Sequence, residues 1–111
     1  MDTERIPRHP DVGALTLQRL LEALVDPVRR SIVEQLYDAP AAVACGGFDL
    51  PVGKSTATHH FRVLREAGLI RQYYEGTSRM NALRRAEVEA AFPGVLDAVV
   101  SADRAGRAPA L

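Results

Sequence analysis

The 111-residue sequence predicts one mainly α-helical domain that carries a β-hairpin. Apolar residues recur at helical spacing in several segments, the pattern becomes extended between residues 69 and 83, and Gly and Pro separate the segments. The predicted order of elements is therefore α-α-α-α-β-β-α. We place a flexible N-terminal arm at residues 1–14, the domain at residues 15–104, and a frayed tail at residues 105–111.

Two helices are predicted in the first part of the domain. The first begins near Leu15 and carries an apolar stripe formed by Leu17, Leu20, Leu21 and Leu24. Asp26 precedes Pro27, which is the usual arrangement of an N-cap residue and the first residue of a helix. This second helix should end between Asp38 and Pro40. We expect it to bury Val28, Ile32, Val33 and Leu36 and to expose Arg29, Arg30 and Glu34.

The segment "PAAVACGGFDLPVG" has no clear period. Its paired glycines and Pro51 leave room only for short helical turns, which we expect Phe48 and Leu50 to anchor. A longer helix is predicted over residues 54–67, because apolar residues return to helical spacing there. Gly68 follows it in the place of a left-handed C-cap residue.

Two extended runs, "LIRQYY" and "RMNAL", flank the turn "EGTS" and predict a hairpin over residues 69–83. Strand alternation allows only one of Tyr73 and Tyr74 to face the core. Helical spacing resumes after the hairpin, and Pro93 should open a last helix. A helix pair followed by such a hairpin is a winged helix-turn-helix.

Positive charge is concentrated in one part of a chain whose formal net charge is zero. Residues 54–85 contain seven Lys and Arg against two Glu, a balance of +5, whereas residues 1–53 carry −3 and residues 86–111 carry −2. A basic block of this kind is typical of a nucleic-acid surface. On charge alone, a plain solvated face explains it equally well.

The predicted helix at residues 54–67 has two different sides. Ala57, Phe61 and Leu64 share the apolar side, and short polar and cationic residues occupy the other. Such a strip suits the major groove of DNA, where hydroxyl, imidazole and guanidinium groups can bond to base edges and phosphates. The predicted DNA-binding residues are Lys54, Ser55, Thr56, Thr58, His59 and Arg62 on this helix, and Arg71, Thr77 and Arg79 on the hairpin.

Neighbouring histidines raise the question of a metal site. His59 and His60 point about 100° apart around the helix axis, so they cannot chelate one ion together. We assign His59 to DNA, and we expect His60 to be half-buried and hydrogen-bonded between the helices. No metal, cofactor or enzyme activity is predicted, because no nucleophile–base pair and no Gly-rich phosphate loop is present in the sequence.

The chain should form a homodimer. Two apolar stripes, one in the first helix and one in the last, lie outside the central helix-turn-helix and would stay exposed in so small a domain unless two chains paired them. The predicted dimer residues are Leu17, Leu20, Leu21, Leu24, Phe92, Leu96, Val99 and Val100. Two-fold symmetry would then place the two copies of the helix at residues 54–67, the recognition helix, about 34 Å apart, which is one turn of DNA.

No signal-peptide pattern and no apolar run of about 20 residues occurs in the sequence. The single cysteine, Cys45, cannot form an internal disulfide, which fits a reducing compartment. We therefore expect a soluble, cytoplasmic, nucleoid-associated protein without a membrane partner. For Cys45 we expect a small buried structural thiol, and a thiol sensor is the alternative.

The stretches "LVDPVRRSIVEQL", "KSTATHHFRVLREAGLI" and "EGTSRMNALR" resemble the ArsR family of bacterial winged-helix regulators, from about Leu15 to Val100. The resemblance implies a homodimeric repressor of a palindromic operator that an effector releases. Metal-sensing members carry Cys-x-Cys before the recognition helix, or Asp and His ligands in the last helix. This sequence has one cysteine there, and Asp97 and Asp103 without a histidine in the last helix. The alternatives left open are a metal- or thiol-responsive repressor and a protein-interaction module that does not bind DNA.

Overall fold

The computed structural model describes residues 8–107, which form five α-helices and a three-stranded antiparallel sheet. The helices are α1 (Leu17–Leu24), α2 (Pro27–Asp38), α3 (Lys54–Glu66), α4 (Arg85–Ala91) and α5 (Val95–Arg107). The strands are β1 (Val43–Ala44), β2 (Ile70–Glu75) and β3 (Ser78–Leu83), with β3 in the middle of the sheet. Helix α3 precedes the β2–β3 hairpin, so the predicted winged helix-turn-helix class is confirmed.

Local signals in the sequence set the ends of α2 and α3. The Asp26 carboxylate accepts hydrogen bonds from the backbone N–H groups of Val28 (2.8 Å) and Arg29 (3.2 Å), and Pro27 opens α2 as predicted. Gly68 has φ +84° after α3, a conformation that favours glycine. A Cβ atom at this position would also collide with the Leu15 side chain.

The segment between α2 and α3, which the predicted order of elements counts as a short helix, forms a two-residue strand and a single 3-10 turn within residues 39–53. Strand β1 pairs with β3, and the turn spans Cys45–Gly47. The turn agrees with the expectation that only a brief helical turn fits beside the two glycines. Phe48 contacts Phe61 with ring centroids 5.2 Å apart, so it anchors the segment on α3 as expected.

The hydrophobic core is shared by all five helices and the base of the hairpin, and it corrects the predicted dimer interface. Four of the predicted interface residues are at most 5% exposed and lie in this core: Leu20, Leu24, Leu96 and Val100. These four side chains pack within their own chain and are therefore not available to a partner. Of the other four, Phe92 and Val99 are half-buried, and Leu17 and Leu21 are exposed.

Glu34 is buried rather than exposed, which corrects the sequence-based expectation. Its Oε1 accepts hydrogen bonds from Arg104 and Arg107 of α5. Burial and the neighbouring Asp103 raise the pKa of Glu34, and the Arg107 guanidinium opposes this effect. The carboxylate thus connects α2 to the last helix.

Arg29 and Arg30 are half-buried rather than exposed, because they close the C-terminal end of α1. Arg29 Nε donates to the Ala23 carbonyl at 2.7 Å, and Arg30 Nη1 donates to the Leu24 carbonyl at 2.9 Å. These carbonyls have no intrahelical partner, so the two guanidinium groups act as a C-cap from the neighbouring helix. Val28 beside them is half-buried rather than buried.

The described part of the predicted N-terminal arm, residues 8–14, lies against the outer strand of the hairpin. His9 Nε2 accepts a hydrogen bond from the Gln72 backbone N–H at 2.9 Å, and Arg84 donates to the Pro10 carbonyl at 2.8 Å. Helix α5 continues to Arg107, two residues beyond the predicted start of the frayed tail. Residues 1–7 and 108–111, which hold the rest of the predicted arm and tail, lie outside the described residues. Within residues 8–107, no helix combines the length and the apolar character needed to span a bilayer.

Candidate nucleic-acid interface

Helix α3 presents the polar strip that the sequence predicts. Its inner side is formed by Phe61 and Leu64, which are 4% and 0% exposed, with half-buried Ala57 at the margin. The outer side consists of six exposed residues: Lys54, Ser55, Thr56, Thr58, His59 and Arg62. No carboxylate occurs in α3 before its last residue, Glu66, so the outer side carries only donors, hydroxyl groups and positive charge.

Hydrogen bonds within α3 fix which groups point outward. Arg62 Nη2 lies 3.1 Å from His59 Nδ1, and because a guanidinium can only donate, Nδ1 is the acceptor. A neutral His59 therefore carries its proton on Nε2, which is left as an outward donor. The Thr58 hydroxyl donates to the Lys54 carbonyl at 2.9 Å, so its oxygen remains an acceptor for an external group.

His60 lies between α2 and α3, as the sequence predicts, and it is 7% exposed. Arg29 Nη1 lies 3.2 Å from His60 Nδ1, so the same guanidinium that caps α1 also orients this imidazole. Burial lowers the pKa of His60, Asp26 opposes this shift, and Arg29 adds to it. His60 is thus a neutral structural residue.

The centroids of the His59 and His60 rings are 5.7 Å apart, with 53° between the ring planes. Residues 8–107 contain no group of three His, Cys, Asp or Glu side chains placed to hold a metal ion.

The two faces of the hairpin separate the predicted wing residues. Gln72 pairs with Asn81, and Tyr74 pairs with Arg79, so these four side chains share the face toward α3. Arg71 points to the opposite face by strand alternation, where its guanidinium lies 5.1 Å from the centre of the Tyr73 ring. The structure therefore does not bring Arg71 together with the recognition helix.

A cleft of about 750 Å³ separates α3 from the hairpin and from the turn at Cys45–Gly47. It brings together five of the predicted DNA-binding residues: Lys54, Thr58 and Arg62 from α3, and Thr77 and Arg79 from the hairpin. Thr77 follows Gly76, which has φ +63° and allows the tight turn at the tip. Ser55, Thr56 and His59 lie on α3 outside the cleft lining.

The floor of the cleft holds a polar network that is not among the residues predicted from the sequence. Arg65 is 3% exposed, and its Nη1 donates to Gln72 Oε1 at 2.6 Å. Arg79 Nη2 lies 3.4 Å from the same oxygen. Desolvation lowers the pKa of Arg65, and the neighbouring Arg79 lowers it further. In the sequence, Arg65 lies four residues after Phe61, so helical spacing places it beside the apolar side of α3, but no local pattern indicates that Gln72 is its partner.

Asn81 continues this network to the third strand. Gln72 Nε2 donates to Asn81 Oδ1 at 2.8 Å, and Asn81 Nδ2 donates to the Val43 carbonyl and lies 3.2 Å from Cys45 Sγ. Gln72 and Asn81 are 3% and 0% exposed. Cys45 is half-buried at the edge of the cleft rather than buried in the core. Strand alternation places Gln72 on the same face as Ile70, which is the signal that could have revealed the network.

Comparisons with known proteins place the chain in a family. A helix-turn-helix domain model matches residues 24–73. The uncharacterized HTH-type transcriptional regulator YceK of Bacillus subtilis (strain 168) is 32% identical over 81 residues, which cover 71% of this chain and 81% of YceK. This chain belongs to the helix-turn-helix transcriptional regulators. The regulator is also 40% identical over 65 residues to the HTH-type transcriptional regulator Rv2034 of Mycobacterium tuberculosis (strain ATCC 25618 / H37Rv), which is 59% of this chain and 61% of Rv2034.

The crystal structure of the ArsR family transcriptional regulator RHA00566 has a similar fold. Its TM-score is 0.58 at 20% sequence identity, over 95% of this chain and 100% of that one. This likeness confirms the ArsR-like winged helix-turn-helix fold. The sequence relatives and the helix-turn-helix domain model support a DNA-binding transcriptional regulator. The prediction that the chain is not an enzyme is also confirmed, since its relatives are transcriptional regulators. The match at residues 24–73 includes the outer side of α3, whereas Thr77 and Arg79 lie beyond it.

Proposed function

We propose that this regulator is a homodimeric repressor that binds a palindromic operator, with α3 in the major groove and the hairpin on the neighbouring DNA backbone. The observation that carries the proposal is the outer side of α3, where six polar residues are exposed while the opposite side of the helix is buried. A surface that has a full set of donors and acceptors and no carboxylate until its last residue matches base edges and phosphates.

The geometry suggests separate roles along α3. Arg62 and the Nε2–H group of His59 are donors directed outward, suited to the N7 and O6 acceptors of guanine or the O4 acceptor of thymine. Thr58 can accept a hydrogen bond or contact a thymine methyl group, because its own proton is bonded to the Lys54 carbonyl. Lys54, with Ser55 and Thr56 in the first turn, is suited to phosphates.

The hairpin supplies backbone contacts in this proposal. Thr77 at its exposed tip and Arg79 in the cleft face the same side as α3, so they can follow the strand that passes beside the recognition helix. Arg71 lies on the other face of the sheet, and its proposed contact is a phosphate further along the duplex. Arg79 and Arg71 should therefore contribute affinity without sequence preference.

The exposed apolar residues of α1 support the dimer. Leu17 and Leu21 of α1 are 47% and 49% exposed, and Val25, its C-cap residue, is 72% exposed; their spacing of four residues places them on one side of the helix. A second copy related by a two-fold axis would cover this stripe with the same stripe of its own. The proposed interface is thus the outer side of α1, with half-buried Phe92 and Val99 as secondary candidates.

Selection from a random duplex library, followed by affinity measurements at fixed salt, tests the DNA-binding part. We expect the selected sites to be inverted repeats with half-site centres about 10 base pairs apart. Arg62→Ala and His59→Ala should each weaken binding to the selected operator by about 1–3 kcal/mol. Because the two side chains bond to each other, the double variant should lose less than the sum of the single losses.

Arg19→Ala is the matched control, since Arg19 is an exposed arginine of α1 outside both the outer side of α3 and the cleft. Its affinity should equal that of the wild type. Failure to enrich any duplex at low ionic strength would refute DNA binding through this face. For the repressor part, a reporter placed behind the selected operator should be silenced by the wild type but not by Arg62→Ala, and an increase in transcription would contradict repression.

A further inference from the structure

The cleft between α3 and the hairpin has an unusual charge balance. Four of its lining residues are cations, Lys54, Arg62, Arg65 and Arg79, and none is acidic. Within residues 8–107, no salt bridge involves any of these four side chains. Buried positive charge is normally paired, because removing a cation from water without a counter-charge is costly.

The two arginines at the floor of the cleft are under-satisfied. Arg65 and Arg79 both approach the single oxygen Oε1 of Gln72, at 2.6 and 3.4 Å. The Nε atoms of both arginines are buried and have no hydrogen-bond partner among the described residues. A guanidinium has five N–H donors, and among the described residues each of these two makes one side-chain hydrogen bond, to the same oxygen.

We propose that this cleft binds a small molecule with a terminal phosphate group, which competes there with operator DNA and serves as the effector of the regulator. The site itself rests on the Arg65–Arg79 pair, and only the competition rests on the proposed function. A phosphate monoester carries close to two negative charges and three terminal oxygens, which matches two guanidinium groups side by side. The apolar remainder of the ligand would lie on Phe61, and the volume of the cleft is within the range of small-molecule sites.

The depth of Arg65 favours a free phosphate monoester over a phosphate of the DNA backbone. Arg65 is 3% exposed, whereas Lys54, Thr58, Arg62 and Thr77 around the entrance are exposed. A phosphodiester is joined to sugars on both sides and can approach only the entrance, while a terminal phosphate can enter with its oxygens first. Because the entrance residues are also proposed DNA contacts, an occupied cleft would exclude the duplex.

The direct test uses the 111-residue chain without DNA, with phenyl phosphate as the probe and inorganic phosphate as a second one. The Nε–H signals of Arg65 and Arg79 are followed by ¹⁵N NMR during titration, against sodium chloride at equal ionic strength. We expect saturable shifts of both signals with phenyl phosphate and none with chloride. Arg79→Gln should raise the dissociation constant about tenfold or more, because it removes charge-assisted hydrogen bonds.

Arg19→Gln removes the same charge from an exposed position of α1 outside the cleft, and it should bind phenyl phosphate like the wild type. Arg65→Gln should also lose phenyl phosphate binding. If the substitution at buried Arg65 unfolds the protein, Arg79→Gln still decides the test. Phenyl phosphate shifts that match those of chloride, or equal affinity of Arg79→Gln and wild type, would overturn the proposal.

A second arm adds phenyl phosphate to the protein–operator complex at constant ionic strength. Release of the wild-type protein from DNA would support the effector role. Binding of phenyl phosphate without release would overturn the competition. If the wild type does not bind phenyl phosphate and Arg65→Gln loses affinity for the duplex, the pair would be assigned to the DNA backbone instead. Phenyl phosphate binding by a protein that ignores every duplex would support the site and refute the proposed function.

Discussion

Leu20 and Leu21 are neighbours in the sequence, and the structure gives them opposite roles. Leu20 is 1% exposed and belongs to the core, whereas Leu21 is 49% exposed on the outer side of α1. Alanine substitutions at the two positions therefore separate a core stripe from a dimer stripe. The sequence alone assigns both residues to the dimer interface.

Leu20→Ala should lower the free energy of unfolding by about 3 kcal/mol. It removes three buried carbon atoms, worth roughly 0.8 kcal/mol each, and leaves a cavity that adds to the loss. With an m-value of about 1.5 kcal/mol/M, the urea midpoint should fall by about 2 M. Urea unfolding followed by circular dichroism measures this shift in the midpoint. The shift should be similar at all protein concentrations below the dimer dissociation constant.

Leu21→Ala should change the unfolding of the separated chain by less than about 0.5 kcal/mol, because half of this side chain already faces water. In the proposed dimer each copy would lose about 1 kcal/mol of apolar burial, and the two-fold axis doubles the loss. The dimer dissociation constant should then rise about 30-fold, as measured by light scattering or sedimentation. An unchanged urea midpoint in Leu20→Ala, combined with a weakened dimer, would show that Leu20 faces a partner and would refute the assignment to the core.

Three further predictions concern Asp26, His60 and His9. Burial raises the pKa of Asp26, but hydrogen bonds from backbone N–H groups outweigh burial and lower the pKa overall. The stabilisation by Asp26 is therefore present above pH 3.8 and is lost as pH falls through the lowered pKa. Asp26→Ala should lower the free energy of unfolding by about 1 kcal/mol, measured by urea unfolding at pH 7, and should show less of this acid sensitivity. Burial also lowers the pKa of His60 below 6.5, so the unfolded chain takes up the proton first and stability should decline as pH falls below 6.5. Urea unfolding of His60→Gln should show a weaker decline with falling pH. A pH profile identical to that of the wild type would contradict the buried neutral imidazole. His9→Ala removes the acceptor of the Gln72 backbone N–H and should speed hydrogen exchange of that amide, measured by NMR, while the Asn81 amide on the central strand serves as the control. Equal exchange of the Gln72 amide in both proteins would show that His9 does not protect this strand.

The elements that the sequence predicted well are those whose signals lie within a few residues. Asp26 and Pro27 mark the start of α2, and Gly68 marks the end of α3, because caps depend on backbone groups only two to four residues away. The exposed strip of α3 follows from the helical period alone, once the residues are known to form a helix. His60 at the helix interface could be predicted for the same reason.

The cleft could not be predicted, because it depends on residues that are distant in the sequence. Strand β1 consists of two residues, and Val43 pairs with Asn81, which is 38 positions further along the chain. Arg65 and Gln72 meet only when the hairpin folds back onto α3. The hairpin buries Arg65, whereas Arg62 on the same helix stays exposed.

The helix-turn-helix architecture and the polar side of helix α3 follow from local signals, because helical period, caps and turn residues act over a few positions. Three features depend on how the elements pack together: which leucines of α1 belong to the core, which carboxylate is buried, and which arginines share one oxygen. A side chain's burial depends on what lies opposite it, and for Leu20, Glu34 and Arg65 the opposing groups come from other elements of the fold.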